Sequence, residues 1–382
     1  IKCGRKNGLT KKILFVVNVD WFFISHRLPL ALEALKKGYE VHLACGISDK
    51  KEYLESLGLI VHPLNLSRSS TGIKSEIKVF GEIYRILKEI NPDLAHFVTI
   101  KPVLYGGIAS RFLGSFRKVF AISGLGFVFV AQTFKAKIVR TIVKAMYKIA
   151  LGGKNSHVIV QNPEDKKVIL SFNVTGYKDI TLIKGSGVDL EQYFYKISEN
   201  NIPKVVMASR LLKEKGVFEF AQAAKILENK NLKVEFELYG EIDEGNPNSL
   251  TKTDLEKISK IANFETKGFS SDIKSVFQKS DIVVLASYYG EGLPKVLIEA
   301  AACGRAIITT DMPGCRDTII ENQTGLFCKA KDAESLAFQI EKLILDKDLR
   351  NSMGKAGRVL AEKEFDINKV VEKHFEIYEG RV

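Results

Sequence analysis

Several residue types and patterns are scarce in this chain, and each scarcity narrows what it can be. The five cysteines, Cys3, Cys45, Cys303, Cys315 and Cys328, form no Cys-x-x-Cys pair and no Cys/His ligand spacing. That argues against a zinc site and, with the odd count, for a reducing compartment. No run reaches the roughly 18 apolar residues of a spanning helix. The longest uncharged stretch of this kind, residues 119–134, is broken by Ser123, Gly124, Gly126 and Gln132. Residues 1–10 are polar and basic and do not read as a secretory signal. The first apolar run ends in Asn18-Val19-Asp20-Trp21 in place of Gly-x-Gly-x-x-Gly, which disfavours an NAD-dependent dehydrogenase. Acid is also missing locally: residues 94–163 contain no Asp or Glu but ten Lys and Arg.

What is present suffices for two or three domains. The chain has 382 residues, of which 46% are hydrophobic, so it is neither disordered nor fibrous. Its net charge of +12 is uneven: residues 1–189 hold 29 basic and 14 acidic side chains, and the remainder hold 28 and 31. A basic first half attracts polyanions, meaning an anionic bilayer, a phosphorylated ligand or nucleic acid. No nucleic-acid motif accompanies the charge, so nucleic acid is not expected. Within the basic tract 101–154, residues 133–151 set Lys135, Lys137, Arg140, Lys144 and Lys148 among Phe134, Ile138, Ile142, Met146 and Ile149. Such a pattern fits a solvated domain helix or a helix lying at a membrane interface.

Apolar runs of strand length alternate with helical periods. Strands are expected at 13–19, 41–45, 94–98, 119–123 and 157–161, and again at 204–208, 234–239, 282–286 and 306–310. Helices are expected at 27–37 and 76–90, then at 217–228, 254–262 and 297–303. Two successive arrays of this kind predict an α/β protein with two doubly wound Rossmann-like domains facing a central cleft. The expected borders are 1–190 for the first domain and 191–365 for the second, with 189–203 as linker. Ligands belong at the C-terminal ends of the strands.

Two loops of the second domain carry chemistry. Strand 282–286 runs into Ser287-Tyr288-Tyr289-Gly290-Glu291-Gly292-Leu293-Pro294, with Glu299 in the helix behind. The glycines permit close approach of the backbone, and the N–H groups at the helix start favour an anion such as a diphosphate. A tight turn with a helix-start acid is the plainer reading. Arg210 and Lys215 flank another strand-to-helix turn, as diphosphate-gripping cations or as ordinary loop cations. Together the two loops point to one pyrophosphate.

Arg210 and Lys215, then Glu291-Gly-Leu-Pro with Glu299 eight residues on, then Glu321-Asn-Gln-Thr-Gly325, resemble the nucleotide-sugar domain of the family 4 glycosyltransferases. These retaining enzymes have the GT-B fold, which implies that residues 366–382 form a C-terminal helix crossing back to the first domain. In the first half, Trp21-Phe-Phe-Ile-Ser-His26-Arg27, Lys101-Pro-Val-Leu-Tyr-Gly-Gly and Ser123-Gly-Leu-Gly are similar to bacterial members that extend undecaprenyl-diphosphate-linked sugars, often with N-acetylhexosamines. The resemblance implies a UDP-sugar donor and no metal, since Arg210 and Lys215 would neutralise the leaving diphosphate. Glu291, with Gly292 and Leu293, would approach the donor sugar, and Glu299 the ribose. Asn322 and Thr324 would help cradle the diphosphate or ribose, and Gly268 and Phe269 the uracil. Asp20 would orient the acceptor hydroxyl and His96 would touch donor sugar or acceptor, although Val98 stands where many members have a second histidine. His26, Arg27 and Lys101 become candidate contacts to an undecaprenyl-diphosphate saccharide, and the basic tract a contact to anionic membrane.

The expectation is therefore a UDP-sugar-dependent hexosyltransferase of surface polysaccharide assembly, peripheral on the cytoplasmic face of a bacterial plasma membrane. A UDP-GlcNAc 2-epimerase of the same fold and a non-catalytic membrane-bound partner subunit are the alternatives. The donor sugar expected is N-acetylhexosamine such as N-acetylgalactosamine.

Overall fold

The computed structural model describes residues 5–6, 9–66, 72–125, 134–174, 176–243, 245–261 and 264–382, with residues 5, 6, 9, 73, 134–139 and 177 described by their backbone. The glycine-bearing run 126–133 and the side chains of Lys135, Lys137 and Ile138 lie outside the described residues. The chain divides into two compact units, Ile1–Ser186 with Lys369–Val382, and Gly187–Asn368.

The first unit is built on seven parallel strands: β1 Lys12–Val19, β2 Glu40–Gly46, β3 Ile60–Pro63, β4 Leu94–Val98, β5 Arg117–Ile122, β6 Ser156–Val160 and β7 Ile180–Leu182. Their spatial order is β3-β2-β1-β4-β5-β6-β7, which puts β1 and β4 side by side in the middle. The central strands read as continuous apolar runs because both faces are covered. Leu14, Val16, Phe97 and Phe120 enter the core on one face, and Ile13, Phe15, Val17 and Val119 the core on the other. Helix α1, Asp20–His26, begins directly after β1, so Trp21, Phe22 and Phe23 are helical, earlier than the expected helix start at 27. The chain breaks at Arg27 before α2, Leu28–Lys36, whose Pro29 sits in the first turn, where its missing N–H costs nothing.

The sheet of the first unit is also flanked by α3 Lys51–Ser56, α4 Ile73–Ile90, α5 Ile100–Ala109 and α6 Phe134–Leu151. The C-terminal helix Ile367–Glu379 places Phe375, Ile377 and Tyr378 in the core of the first unit.

The second unit has six parallel strands: β8 Lys204–Ala208, β9 Glu235–Tyr239, β10 Glu265–Gly268, β11 Ile282–Leu285, β12 Ala306–Thr310 and β13 Gly325–Cys328. Their order is β10-β9-β8-β11-β12-β13, the doubly wound pattern, with β8 and β11 adjacent at the point where the order reverses. The helices following β8 and β11 span Val217–Asn229 and Lys295–Ala302. Residues 189–203, expected as a linker, are fastened to this unit. The Arg358 guanidinium donates to the carbonyls of Tyr193 at 2.7 Å and Leu190 at 3.4 Å, and that of Arg305 donates to the carbonyl of Lys196.

Candidate active site

In the second unit, the loops after β8, β11 and β12 leave the C-terminal edge of the sheet and hold one another through their backbones. After β8 the chain passes Arg210 and makes a short turn at Lys213–Lys215 before its helix. Gly216 has φ +83, and a Cβ there would lie 2.4 Å from the Ala286 carbonyl oxygen, so this turn is pressed against the end of β11. Tyr288 N–H and the Ser287 hydroxyl both donate to the Glu214 carbonyl, at 3.0 and 3.2 Å. Glu291 N–H donates to the Pro313 carbonyl at 3.0 Å. Gly314 has φ +82 and would put a Cβ 2.4 Å from the Gly292 carbonyl oxygen.

This framework brings the sequence-predicted cations to carboxylates. Lys215 Nζ donates to Glu291 Oε1 at 2.5 Å, with side-chain exposures of 13% and 16%, and the Ser287 hydroxyl donates to the same oxygen at 2.9 Å. Arg210 Nη1 donates to Asp243 Oδ2 at 3.0 Å. Glu299 is buried in the helix behind, beside Lys295 Nζ at 3.5 Å and Tyr193; burial pushes its carboxyl up despite the opposing lysine. The same burial, then the neighbouring Glu299, pushes up the Tyr193 phenol. Gly292 and Leu293 are buried leading into that helix, which has no side-chain N-cap. Gly268, with φ +69 and open space around it, ends β10 and presents Phe269, 68% exposed.

Sequence reasoning missed Ser287, Asp243 and the Pro313-Gly314 turn. Ser287 sits next to a strand end inside a glycine loop and was readable as a partner for Glu291; Asp243 lies in a polar loop with no distinguishing signal. Asn322 and Thr324 do not join the group. Parallel pairing sets Gly325 opposite Ile307, so the turn before β13 lies at the N-terminal edge of the sheet, the end opposite the loops above. The Thr324 hydroxyl is spent inside that turn, accepting from Ile320 N–H at 2.8 Å, and Asn322 holds φ 61 there. An Asp-x-Asp sequence exists at Asp346-Lys347-Asp348; its first carboxylate caps a helix by accepting from Leu349 N–H at 2.8 Å. Among the described residues no group of three or more His, Cys, Asp or Glu is arranged to hold a metal.

In the first unit the expected roles need correcting. Asp20 is fully buried, and its oxygens accept from Trp21 N–H, Ser48 N–H and the Ser48 hydroxyl, each at 2.7 Å, and from Lys50 N–H at 3.3 Å. It fastens the loop between β2 and α3 to the end of β1 and leaves no oxygen for an acceptor. His96 is also fully buried: Nδ1 meets the Tyr378 hydroxyl at 2.6 Å, with Phe15 and His374 against the ring. Burial, then the nearby Arg27 charge, lowers its pKa, and burial lowers that of His374 to about 3. Arg27 is buried too, donating through Nη1 to the His26 carbonyl at 2.8 Å, and burial lowers it to about 10. The His26 ring stacks on Phe22 at 4.1 Å, and Lys101 Nζ donates to Glu76 Oε1 at 2.8 Å.

The basic tract is not uniformly exposed. Lys118 is buried and Arg117 Nη1 donates to the Ile377 carbonyl at 2.8 Å. On α6 and the turn before β5, however, Ile142, Ile149 and Phe112 are exposed apolar side chains, with Lys148 and Lys154 also exposed and Arg111 Nε donating to the Ile149 carbonyl at 2.9 Å. No helix among the described residues is long and apolar enough to cross a membrane.

The family model described as "Glycosyl transferases group 1" matches residues 189–360, and "Glycosyl transferase 4-like" matches residues 12–162. A Campylobacter jejuni protein named N,N'-diacetylbacillosaminyl-diphospho-undecaprenol alpha-1,3-N-acetylgalactosaminyltransferase is 31% identical, over 94% of this chain and 97% of its own length. An Escherichia coli protein named UDP-Gal:alpha-D-GlcNAc-diphosphoundecaprenol alpha-1,3-galactosyltransferase is 26% identical, over 89% of each chain. Among solved structures, a glycosyltransferase from Rickettsia africae superposes with a TM-score of 0.78 at 20% identity, over 97% of this chain and 98% of that one. The two-unit fold is thus that of GT-B glycosyltransferases.

Proposed function

Because this chain belongs to the group 1 glycosyltransferases, we propose that it transfers an N-acetylhexosamine, N-acetylgalactosamine first among them, from a UDP-sugar to an undecaprenyl-diphosphate-linked saccharide, retaining the anomeric configuration. The observation that carries the reading is the near-full-length match to a relative named for that transfer, together with Arg210, Lys215 and Glu291 on one sheet edge. Uracil would rest near Gly268 and Phe269, the ribose near Glu299, and the diphosphate against Arg210 and Lys215.

In the resting protein each of those cations is held by a carboxylate, Lys215 by Glu291 and Arg210 by Asp243. A diphosphate would compete for both. As the bond from the anomeric carbon to the phosphate oxygen breaks, negative charge grows on that oxygen, where two positioned cations lower its energy without reorganising. The acceptor hydroxyl attacks from the same face, its oxygen bonding to the anomeric carbon and its proton passing to the departing phosphate. Glu291, released from Lys215, hydrogen-bonds donor-sugar hydroxyls. No metal enters this scheme.

The acceptor is a membrane lipid, and the first unit offers a surface for its bilayer: Ile142, Ile149 and Phe112 beside Lys148 and Lys154. Apolar insertion and roughly 1 kcal/mol for each cation near an anionic surface would hold the protein at the cytoplasmic leaflet. Transfer from UDP-GalNAc, UDP-GlcNAc, UDP-Gal, UDP-Glc and GDP-mannose to undecaprenyl-diphosphate saccharides tests the reading. An N-acetylhexosamine donor is expected, and use of GDP-mannose alone would overturn it. Sedimentation with anionic vesicles tests the surface; binding that weakens with salt is expected, and no binding at any salt concentration removes the membrane from the account.

A further inference from the structure

The C-terminal edge of the first unit's sheet carries unmet polar atoms and strain at the same level. Strands β1, β4 and β5 are neighbours, with Val16 opposite Phe97 and Val98 opposite Ala121. Continued past the paired residues, that register sets Asn18 level with Thr99 on the next strand, and Ser123 one position beyond, where the chain leaves β5. Asn18 Oδ1, Thr99 Oγ1 and Ser123 Oγ are each buried with no hydrogen-bond partner, while their residues stay partly exposed. Buried polar atoms are nearly always paired, so three orphans on consecutive strands of one sheet call for an explanation.

The backbone adds a second, independent observation. Thr99 has φ 74 and ψ 167, a region that is essentially glycine's alone, and a β-branched side chain suits it worst. Among the described residues, five of the other six non-glycine residues with positive φ are asparagines, the type that tolerates such angles. A chain selected for stability alone would place Gly at 99. Strain and unsatisfied groups persist together where the surroundings enforce them for use.

We infer that Asn18, Thr99 and Ser123 bind the polar groups of the acceptor's terminal sugar; this rests on the reading that the first unit takes the acceptor. The chemistry selects a sugar over the lipid diphosphate. All three groups are neutral, and Asn18 Oδ1 needs a donor, which an ionised diphosphate lacks and a sugar hydroxyl or acetamido N–H supplies. Thr99 and Ser123 hydroxyls can give or take, matching a ring of hydroxyls. The cation two residues past Thr99, Lys101, is engaged by Glu76.

The test uses the full chain with Asn18→Ala, Thr99→Val and Ser123→Ala, read by three measurements: KM for a lipid-diphosphate saccharide, KM for the UDP-sugar, and melting temperature. Each variant should raise the acceptor KM about three- to tenfold, the loss of one neutral hydrogen bond. The donor KM should stay within twofold, and melting temperature should hold or rise because an orphan buried group has gone. Unchanged acceptor KM overturns the inference, as does a lowered melting temperature with both KM values altered, which marks a structural role. Calorimetric titration of a short-chain lipid-diphosphate saccharide separates the two failures. Binding that the variants weaken, with no UDP-sugar consumed, overturns only the donor reading; wild-type binding that they leave intact overturns only the inference; no wild-type binding overturns both.

Discussion

Breaking the Lys215–Glu291 pair should cost stability and catalysis by separable amounts. The two charges approach to 2.5 Å and their side chains are 13% and 16% exposed, so little water remains to screen either. In Lys215→Met the carboxylate keeps the Ser287 hydroxyl and loses its cation. Removing one partner of a fully buried pair costs about 3–5 kcal/mol, and the residual exposure here reduces that to about 2–3. At about 2–4 °C per kcal/mol for a unit of this size, melting should fall by about 5–10 °C. Glu291→Gln should fall by less, and the double variant by less than the sum, with a coupling of about 1–2 kcal/mol. Catalysis follows a different rule: each variant lacking Lys215 loses a cation aimed at the developing phosphate charge, about 10²–10³ in kcat. Thermal melts of the four proteins and single-donor kinetics provide the cycle. Additive melting shifts, or turnover within threefold of wild type in Lys215→Met, would refute the reasoning.

Two other perturbations test the same structure. The folded pKa values of His96 and His374 lie below the ordinary histidine value, so the unfolded chain binds more protons between pH 6.5 and the folded values. Stability is complete above about pH 6.5 and falls with acid by about 1.4 kcal/mol per pH unit for each histidine; urea titrations at pH 7.5 and 5 should show this slope, and His374→Leu should flatten it. Gly314→Ala places a methyl 2.4 Å from the Gly292 carbonyl at φ +82, and should lower melting temperature and transfer together by displacing the Glu291 loop, whereas Gly72→Ala, with open space, should change neither.

How much of the fold and the site is legible in one dimension depends on how far away the deciding residue lies. Strands 94–98, 204–208 and 306–310 stand where their apolar runs put them, since a strand covered on both faces advertises itself along the chain. The loops at 208–216 and 287–294 were readable because glycine, proline and charge at fixed offsets are local signals. His96 was not. It alternates onto the face of β4 that Tyr378 and His374 cover, and those partners come from the far end of the chain. Asp20 looked like a free carboxylate because the Ser48–Lys50 backbone that fills it is remote in sequence. Asn322 and Thr324 were misplaced because which edge of the sheet a turn occupies depends on strand register, which motif spacing does not encode. Likewise Arg210 and Lys215 were legible as cations, while Asp243 and Glu291 as their resting partners were legible only in three dimensions.

Sugar transfer driven from the Arg210, Lys215 and Glu291 edge is the central claim. The most direct measurement follows labelled N-acetylgalactosamine from UDP-GalNAc onto an undecaprenyl-diphosphate saccharide, with wild type and Lys215→Ala at equal folded concentration. Lipid-bound label is predicted with wild type and, with Lys215→Ala, transfer lower by about a hundredfold or more. Equal transfer by the two proteins, or labelled lipid with neither while free UDP still accumulates from wild type, would contradict it.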